Sequence, residues 1–350
     1  MASADLIVMG GGIFGLACAW TAAQRGAKVR VIEAKGIGAG SSGGVVGALS
    51  PHVPENWNPK KQFQLESLLM AEAFWNEVGQ EAGLPTGYAR LGRLQPLADD
   101  VAVARAQARA QEAEILWQGK AAWRVVLSGP DGWAPESGSG FLVEDTLSAR
   151  LHPRLAAQAL VTAIRAKGGI VLHGQTAPDD PTGAPVIWAT GYSGLLDLNS
   201  DLGKKVGGGV KGQALLVKYA AQHMPQLFAA GLHIVPHEDG TVAIGSTSEN
   251  EWADETSVDA AGDALFDRAC DICPSLRGAE VIERWAGVRP RARSRAPMLG
   301  PWPGRSGHFV ANGGFKIGFG MAPKVAEVIC DLVLEGRDRV PEGFRVEDSL

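Results

Sequence analysis

Residues 6–33 read LIVMGGGIFGLACAWTAAQRGAKVRVIE and predict the order strand, turn, helix, strand. The apolar run Leu6–Met9 has the composition of a buried parallel strand. Alanine-rich Leu16–Arg25 predicts a helix, and Gly26 closes it, because glycine readily adopts the left-handed conformation that ends helices. Val29–Ile32 predicts a second strand. A turn therefore joins the end of a buried strand directly to the start of a helix.

That turn, Gly10–Gly15, satisfies the pattern G-x-G-x-x-G. Gly10 permits the tight turn, Gly12 lets the backbone approach a pyrophosphate, and Gly15 allows close packing of helix and strand. The helix N-terminus offers free N–H groups and a positive dipole end to phosphates. Glu33, about twenty residues further on, can accept hydrogen bonds from both ribose hydroxyls. A structural turn would explain the glycines alone, whereas the whole ordered set predicts a dinucleotide site.

The next segment favours FAD over NAD as that dinucleotide. Residues 36–49 read GIGAGSSGGVVGAL, a run of small residues that includes two hydroxyls. An NAD-binding chain would normally continue here into another helix or strand. A loop of small side chains lets a large, bent cofactor pass close to the backbone, which suits the flavin half of FAD.

The bulk composition is that of an ordinary globular protein. Of the 350 residues, 45% are hydrophobic and 20% are charged, which excludes a disordered chain. The formal net charge of −5 argues against nucleic acid as a main partner, because nucleic-acid binding usually needs a broad basic face. No apolar run reaches the length of about 18 residues that predicts a membrane-spanning helix. Residues 1–5 lack the basic start of a signal peptide.

The four cysteines are too few and too scattered for a disulfide scaffold, so we expect a reducing, cytoplasmic environment. Cys270 and Cys273 form a C-x-x-C pattern, which suggests a redox pair or half of a metal site. The second half of a zinc site is absent from the sequence, so we expect packing and no bound metal. The sequence is compatible with a homo-oligomer and does not decide the oligomeric state.

The remaining segments alternate between nucleotide-binding and strand-rich character. Predicted helices are 62–80, 101–116, 151–166, 258–273 and about 323–334; predicted strands are 92–97, 168–172, 185–191, 213–218, 232–236 and 242–245. The interleaving predicts an α/β protein with a discontinuous, Rossmann-like FAD-binding domain and an inserted α+β substrate domain that carries an antiparallel or mixed sheet. The FAD-binding domain is expected at 1–50, 141–200 and 286–350, and the substrate domain at 51–140 and 201–285.

Further landmarks follow the opening turn, the acid and the small-residue loop in a fixed order. They are VGGGVKGQ at 206–213, HIVP at 233–236, DG at 239–240, GST at 245–247, WAGVRP at 285–290, PMLG at 297–300, GGFKIG at 313–318 and AP at 322–323. With these landmarks, nearly the whole chain resembles the FAD-dependent oxidoreductases related to D-amino-acid oxidase. Within that family it is most similar to the glycine oxidase branch.

The resemblance implies a set of residues that contact FAD. Beyond the glycines of the opening turn they are Ile13, Phe14, Glu33, Ala34, Ser41, Ser42, Val46, Gly47, Ala48, Ala177, Gly314, Phe315, Lys316, Ile317 and Gly318. A helix after Pro323 would direct its positive end at the flavin. Relatives with covalent flavin use a Cys or a His that this chain lacks at the matching positions, so non-covalent FAD is expected.

The resemblance also implies a substrate site. Arg289, in the motif Gly-Val-Arg-Pro, would bind the substrate carboxylate through two parallel hydrogen bonds and so point the α-C–H at flavin N5; the alternative is a surface arginine. Three positions depart from the family pattern. Lys316 replaces a second arginine and lacks the planar set of donors of a guanidinium. Gly314 replaces a histidine, and His233 replaces a tyrosine. His233 is either a catalytic base or an inert core histidine.

Arg289, Arg291, Arg293 and Arg295 alternate, so an extended segment would place all four on one face. Such a face would suit a substrate with more than one carboxylate, or nucleic acid, as in tRNA-modifying relatives. We favour a solvated loop with counter-charges.

The reaction implied by the resemblance is oxidation of a C–N bond in a small amine or amino acid, such as glycine, a D-amino acid or an N-substituted amino acid. Hydride passes to flavin N5, the imine is then hydrolysed, and dioxygen or an electron carrier reoxidises the flavin. Three alternatives stay open: a dehydrogenase that serves a carrier, a flavin-bearing subunit with little turnover of its own, and an NAD dehydrogenase.

Overall fold

Two large β-sheets flanked by helices form the frame of the molecule. They are seen in a computed structural model that describes residues 4–129, 132–176 and 183–350. One sheet has six strands and the other has eight, and a two-stranded ribbon pairs 48–49 with 149–150. This architecture confirms the predicted fold class, including the mixed pairing of the larger sheet.

The helices and strands have the following bounds. The described α-helices are α1 (Ile13–Gln24), α2 (Pro59–Ala82), α3 (Asp100–Trp117), α4 (Pro153–Ala166), α5 (Gly191–Leu202), α6 (Ala260–Ile272) and α7 (Gly318–Glu335). The strands are β1 (Leu6–Met9), β2 (Val29–Glu33), β3 (Ala48–Leu49), β4 (Arg93–Pro96), β5 (Trp123–Leu127), β6 (Phe141–Asp145), β7 (Ala149–Arg150), β8 (Ile170–His173), β9 (Val186–Trp188), β10 (Gly207–Lys218), β11 (Gln226–Ala229), β12 (Leu232–Pro236), β13 (Thr241–Gly245), β14 (Glu280–Ala292), β15 (Met298–Pro301) and β16 (His308–Asn312). None of the described helices is both long and apolar enough to cross a membrane.

The six-stranded sheet has the opening motif at its centre. Its strand order is β15-β16-β9-β1-β2-β8, and every pair is parallel except β15 with β16. β1 is buried along its whole length, as expected of a central parallel strand that is covered on both faces. α1 packs against α4 and α7, so distant parts of the chain complete this layer. The carboxyl ends of β1 and β9 meet at the glycine turn, where open sheets of this kind bind ligands.

The eight-stranded sheet has the order β14-β10-β13-β12-β11-β4-β6-β5, antiparallel except where β11 pairs with β4. One face packs on α6 through apolar side chains that include Leu215 and Ile244. On the opposite face, Ala214 and Val235 pack against Val45 of the small-residue loop. We call this opposite face the inner face, because it is turned toward the nucleotide-type part of the molecule.

Sheet membership crosses two of the predicted domain boundaries. β6 and the last part of β14 belong to the eight-stranded sheet, although the sequence places 141–200 and 286–350 in the FAD-binding domain. β6 pairs with β4 and β5, and β14 pairs with β10 along its length. Such long-range pairing is invisible in local patterns. The division into two domains stays a prediction, and sheet membership suggests moving both boundaries.

α7 begins at Gly318, five residues before the predicted start at Pro323. Pro323 is the sixth residue of α7. Because a proline this near the start of a helix removes a single backbone donor, the helix extends to the N-terminal side of it. The positive end of α7 therefore lies next to the segment 313–318, which the sequence assigns to the cofactor.

Gly47 offers a test of the contact between the small-residue loop and Leu151, the residue that follows β7. An ideal Cβ on Gly47 would lie 1.6 Å from the carbonyl oxygen of Leu151, whereas a Cβ on Gly36, in the same loop, would meet nothing within 4 Å. We expect Gly47→Ala to lower the free energy of unfolding by about 1–3 kcal/mol. Gly36→Ala should change it by less than about 0.5 kcal/mol. Urea unfolding followed by circular dichroism measures both, and equal stabilities would contradict the close approach.

Candidate active site

The glycine turn brings three backbone segments together with no room for side chains. Gly10 has a φ of 108°, and an ideal Cβ there would lie 2.5 Å from the carbonyl oxygen of Ala189. A Cβ on Gly15 would lie 2.0 Å from the carbonyl oxygen of Gly10. The start of α1 therefore sits directly on the ends of β1 and β9.

The start of α1 also presents unused backbone donors. Among the described residues, the N–H groups of Gly12, Phe14 and Gly15 have no hydrogen-bond acceptor. The N–H of Ile13 donates to Ser42 Oγ at 3.0 Å. No acidic side chain lies in the first turn of the helix. Free N–H groups at the positive end of a helix dipole form a site that suits phosphate.

Glu33 lies beside this turn, at the end of β2. Its Oε2 accepts the N–H of Gly11 at 2.6 Å, and its Oε1 accepts the N–H of Lys35 at 2.8 Å. These two bonds fix the carboxylate, and each oxygen keeps a lone pair for another donor. The carboxylate is therefore oriented to accept hydrogen bonds from a ribose. Ala34, next to it, is exposed in the turn that follows β2.

The small-residue loop connects α1 with the inner face. Ser41 and Ser42 lie in a 3-10 turn, Ser41–Gly43, whose middle residue bonds to α1 as described. Val46 touches Gly245 of β13, since a Cβ on Gly245 would lie 2.8 Å from the Val46 side chain. Ala48 then enters β3. The loop thus runs along the path from the glycine turn to the larger sheet.

The segment Gly313–Gly318 closes the same region from the other end of the chain. A Cβ on Gly314 would lie 2.8 Å from the ring of Phe14, so this ring packs directly against the backbone of Gly314. The N–H of Phe315 donates to the carbonyl oxygen of Pro290 at 3.0 Å. Ile317 caps α7 and Gly318 opens it. This segment therefore lies between the start of α1 and the strand that carries Arg289.

Arg289 is buried on the inner face and lacks an ionic partner. The residue is 8% exposed, and within the described chain no carboxylate oxygen lies within 4 Å of it. Burial lowers the pKa of its guanidinium to about 10, an effect that the charge of Glu249 partly offsets. The guanidinium lies over Gly212, where a Cβ would come within 2.0 Å of Nη2. Its carbon lies 5.7 Å from the ring centre of Phe315.

Neutral oxygens hold this guanidinium in place. Nη1 donates to Ser246 Oγ at 2.7 Å, Nη2 to the carbonyl oxygens of Thr247 at 2.6 Å and Lys211 at 3.0 Å, and Nε to that of Val210 at 3.5 Å. Four of the five N–H groups are therefore engaged. In this arrangement one Nη1 N–H is free. Two hydrogen bonds from Arg289 to a carboxylate therefore require that Ser246 or one of the carbonyl groups releases its own bond to the guanidinium.

His233 and Lys316 lie near this cation. His233 projects from β12 opposite Phe228, with ring centres 4.5 Å apart, and in the described chain its buried Nδ1 has no hydrogen-bond partner. Burial, together with the positive charges of Arg93 and Lys316, lowers the pKa of His233 to about 3. The imidazole is therefore neutral near pH 7 and too weak a base to take a proton efficiently. Burial and the charge of Arg289 also lower the pKa of Lys316.

The four alternating arginines do not share one face. β14 ends at Ala292, so only Arg289 and Arg291 belong to the strand. Arg293 is exposed and donates to the carbonyl oxygen of Leu350, and Arg295 has a φ of 62° in the turn beyond. Ala177, the predicted backbone contact, lies outside the described residues.

Three groups that position Arg289 are absent from the predicted site: Ser246, the carbonyl group of Thr247, and Gly212. Ser246 and Thr247 follow β13, and they reach Arg289 because β13 and β14 pair with opposite edges of β10. Of the three, Gly212 could have been recognised from the sequence. A glycine inside a strand often marks the close approach of another group, here the guanidinium.

Comparison with known proteins identifies the family. A family model described as DAO, FAD dependent oxidoreductase, matches residues 5–332. The chain belongs to this family. Glycine oxidase of Pseudomonas putida is 28% identical over an alignment of 373 positions that covers 97% of this chain and 99% of that protein. The crystal structures of glycine oxidase from Geobacillus kaustophilus (TM-score 0.83, 22% identity, 99% of each chain) and of iminodiacetate oxidase from Chelativorans sp. BNC1 (TM-score 0.80, 19% identity, 97% and 98%) have the same fold.

Membership makes FAD the cofactor of this DAO-family protein and excludes the NAD alternative. The geometry fits FAD. Unused N–H groups at the start of α1 would bind the pyrophosphate, and the fixed Glu33 carboxylate would accept the ribose hydroxyls. The loop 36–49 reaches the inner face at Val46, and the segment 313–318 lies between the start of α1 and the strand that carries Arg289.

Glu33 gives a test of this arrangement. Glu33→Gln removes the negative charge and turns an NH₂ group toward the N–H of Gly11 or Lys35. We expect the dissociation constant for FAD to rise by about 10- to 100-fold, since a charge-assisted hydrogen bond contributes about 1.5–3 kcal/mol. Fluorescence titration of the FAD-free protein measures the constant. Glu342→Gln, at an exposed glutamate, is the matched control, and equal affinities in the two variants would refute the assignment.

Proposed function

We propose that this protein oxidises the C–N bond of a small amine or amino acid and uses dioxygen to complete its cycle. The observation that carries the proposal is Arg289, a buried cation without a carboxylate partner in the described chain, held on the inner face beside the segment 313–318. The names of similar proteins, glycine oxidase and iminodiacetate oxidase, support the same class of substrate.

A substrate carboxylate would complete the surroundings of Arg289. Removing a guanidinium from water is costly unless an anion or several hydrogen-bond acceptors compensate, and here only neutral oxygens do so. An incoming carboxylate supplies the missing charge. Lys316, whose pKa burial and Arg289 hold down, adds positive potential at the same place. Both cations therefore favour a substrate that carries an acid group.

The side chains of the site orient the substrate and leave its proton transfers to the amine itself. The free Nη1 N–H of Arg289 binds the substrate carboxylate, and a second bond forms when Ser246 or a carbonyl group releases its own, which orients the α-carbon. His233 stays neutral and takes no proton near pH 7, so the amine must react in its neutral form. Oxidation removes a hydride and a proton across the C–N bond, and water converts the resulting imine to a carbonyl compound and an amine.

When bound, FAD supplies the two-electron acceptor for this oxidation. We expect the cofactor to be held non-covalently, through the glycine turn, Glu33 and the small-residue loop. A cytoplasmic location also stays a prediction, supported by four cysteines that are all free and buried.

Arg289→Lys tests the carboxylate site, because lysine keeps the charge and loses the planar set of donors. We expect kcat/KM for amino-acid substrates to fall by about 100-fold or more, in line with the loss of charge-assisted hydrogen bonds. Arg284→Lys is the matched control, since Arg284 lies on the same strand and forms an exposed ion pair with Asp263. Anaerobic flavin bleaching gives the rates. Undiminished turnover by Arg289→Lys would exclude this residue from the substrate site.

The reaction with dioxygen separates an oxidase from a dehydrogenase. We expect protein reduced by substrate to reoxidise within seconds when mixed with air-saturated buffer in a stopped-flow instrument, with one hydrogen peroxide formed per turnover. A protein that stays reduced until an artificial electron acceptor is added would be a dehydrogenase. Protein that no amine or amino acid reduces would correspond to the flavin-bearing subunit considered above.

A further inference from the structure

Arg93 is a second buried arginine on the inner face. It begins β4, is 5% exposed, and pairs in register with Asp145 of β6. Its Nε donates to Asp145 Oδ2 at 2.8 Å, and the other oxygen of that carboxylate accepts the N–H of Ser148 at 2.8 Å. Asp145 is fully buried. The pair is therefore a desolvated ion pair in which the carboxylate is satisfied by two donors.

The remaining donors of Arg93 are unused. In the part of the chain that the structure describes, Nη1 and Nη2 make no hydrogen bond, which leaves four N–H groups of a buried side chain without an acceptor. Asp145 contacts Nε alone, whereas arginine–carboxylate pairs frequently use two nitrogens. Nη1 and Nη2 are therefore available to a second acceptor.

The guanidinium of Arg93 lies near Phe228 and His233, on the same face as the proposed substrate site. The guanidinium carbon lies 5.7 Å from the ring centre of Phe228, and Phe228 packs on His233. The positive charges of Arg93 and Lys316 both contribute to the lowered pKa of His233. In strand order Arg93 (β4) and Arg289 (β14) lie on opposite sides of His233 (β12). His233 and Phe228 therefore form the floor between two arginines.

We propose that Arg93 is a second anion subsite, so that the preferred substrate of this protein is an amine that carries two carboxylates. One carboxylate binds at Arg289 and the other binds the free Nη1 and Nη2 of Arg93, with the C–N bond between them above His233. This inference rests on the proposed function, because it assigns the substrate class of the same site.

The spacing of the two guanidinium groups suits such a molecule. Arg289 leans over β10 and bonds to residues that follow β13, whereas Arg93 leans over β11. From β10 to β11 there are three inter-strand steps of about 4.8 Å, which is about 14 Å. A small amine with a carboxylate at each end, plus a hydrogen bond at each end, spans this distance.

The test compares substrates that differ by a single carboxylate. N-methylglycine and iminodiacetate share the glycine unit, and D-alanine and D-glutamate share the α-amino acid unit, so the two pairs distinguish an imino from an α-amino dicarboxylate. We expect kcat/KM of the wild-type protein to favour the dicarboxylate by about tenfold or more in one pair. Arg93→Lys, which can still pair with Asp145, should lower that preference by about tenfold and leave the monocarboxylate rate within about threefold.

Arg124→Lys is the matched control, because Arg124 forms an exposed ion pair with Glu144, the residue before Asp145. A ratio of two rates on one preparation is independent of the fraction of folded protein. Equal losses for both substrates of a pair in Arg93→Lys would make Arg93 structural and overturn the proposal. A wild-type preference for the monocarboxylates in both pairs would also overturn it.

Binding without turnover separates this inference from the proposed function. Glutarate and butyrate have similar chain lengths and cannot be oxidised as amines, and calorimetric titration of the FAD-loaded protein measures their affinities. We expect glutarate to bind about tenfold more tightly than butyrate, with the difference lost in Arg93→Lys. If no amine reduces the flavin but this difference is present, the proposed function fails and the anion subsite stands. If amines reduce the flavin and the two acids bind equally, the subsite fails alone.

Discussion

The contact between the small-residue loop and the two sheets is the constraint on which the molecule depends. Gly10 and Gly15 let α1 sit on the ends of β1 and β9, and Gly47 places the loop against the backbone of Leu151. Val45 then packs on the inner face of the larger sheet. Side chains at these glycines would push the layers apart by ångströms. The close backbone contacts of these glycines and the packing of Val45 together fix the loop between the nucleotide-binding turn and the arginine-bearing face.

The inner face combines this rigid frame with uncompensated positive charge. Burial lowers the pKa values of Arg289 and His233, so the fold holds these two groups where water stabilises their charged forms poorly. A protein built only for stability would pair each cation or replace it with an apolar side chain. Departures of this kind occur where a site must attract a ligand, and here the missing component is negative charge.

Local sequence patterns predicted the parts of the structure that depend on neighbouring residues. The strand–turn–helix of the first thirty residues, the acid at Glu33 and most helix positions follow from periodicity and from glycine. The substrate side depends on pairing across the chain. Arg93 lies in a segment that was predicted as a strand, but its meaning comes from Asp145, 52 residues later. The end of β14 at Ala292, which separates Arg291 from Arg293, likewise depends on where β10 begins to pair, and no residue near it signals the change.

The packing of α1 against α7 has a consequence for the folding of the protein during its synthesis. The first helix of the chain packs against its last long helix. Phe14 touches the backbone of Gly314, 300 residues away. A ribosome releases the glycine turn long before the segment that closes it. The nucleotide pocket cannot assemble during synthesis of the first half of the chain, and a topology so rich in non-local contacts folds slowly. Flavin can therefore bind to its complete pocket only after the segment that contains Gly314 has been synthesised.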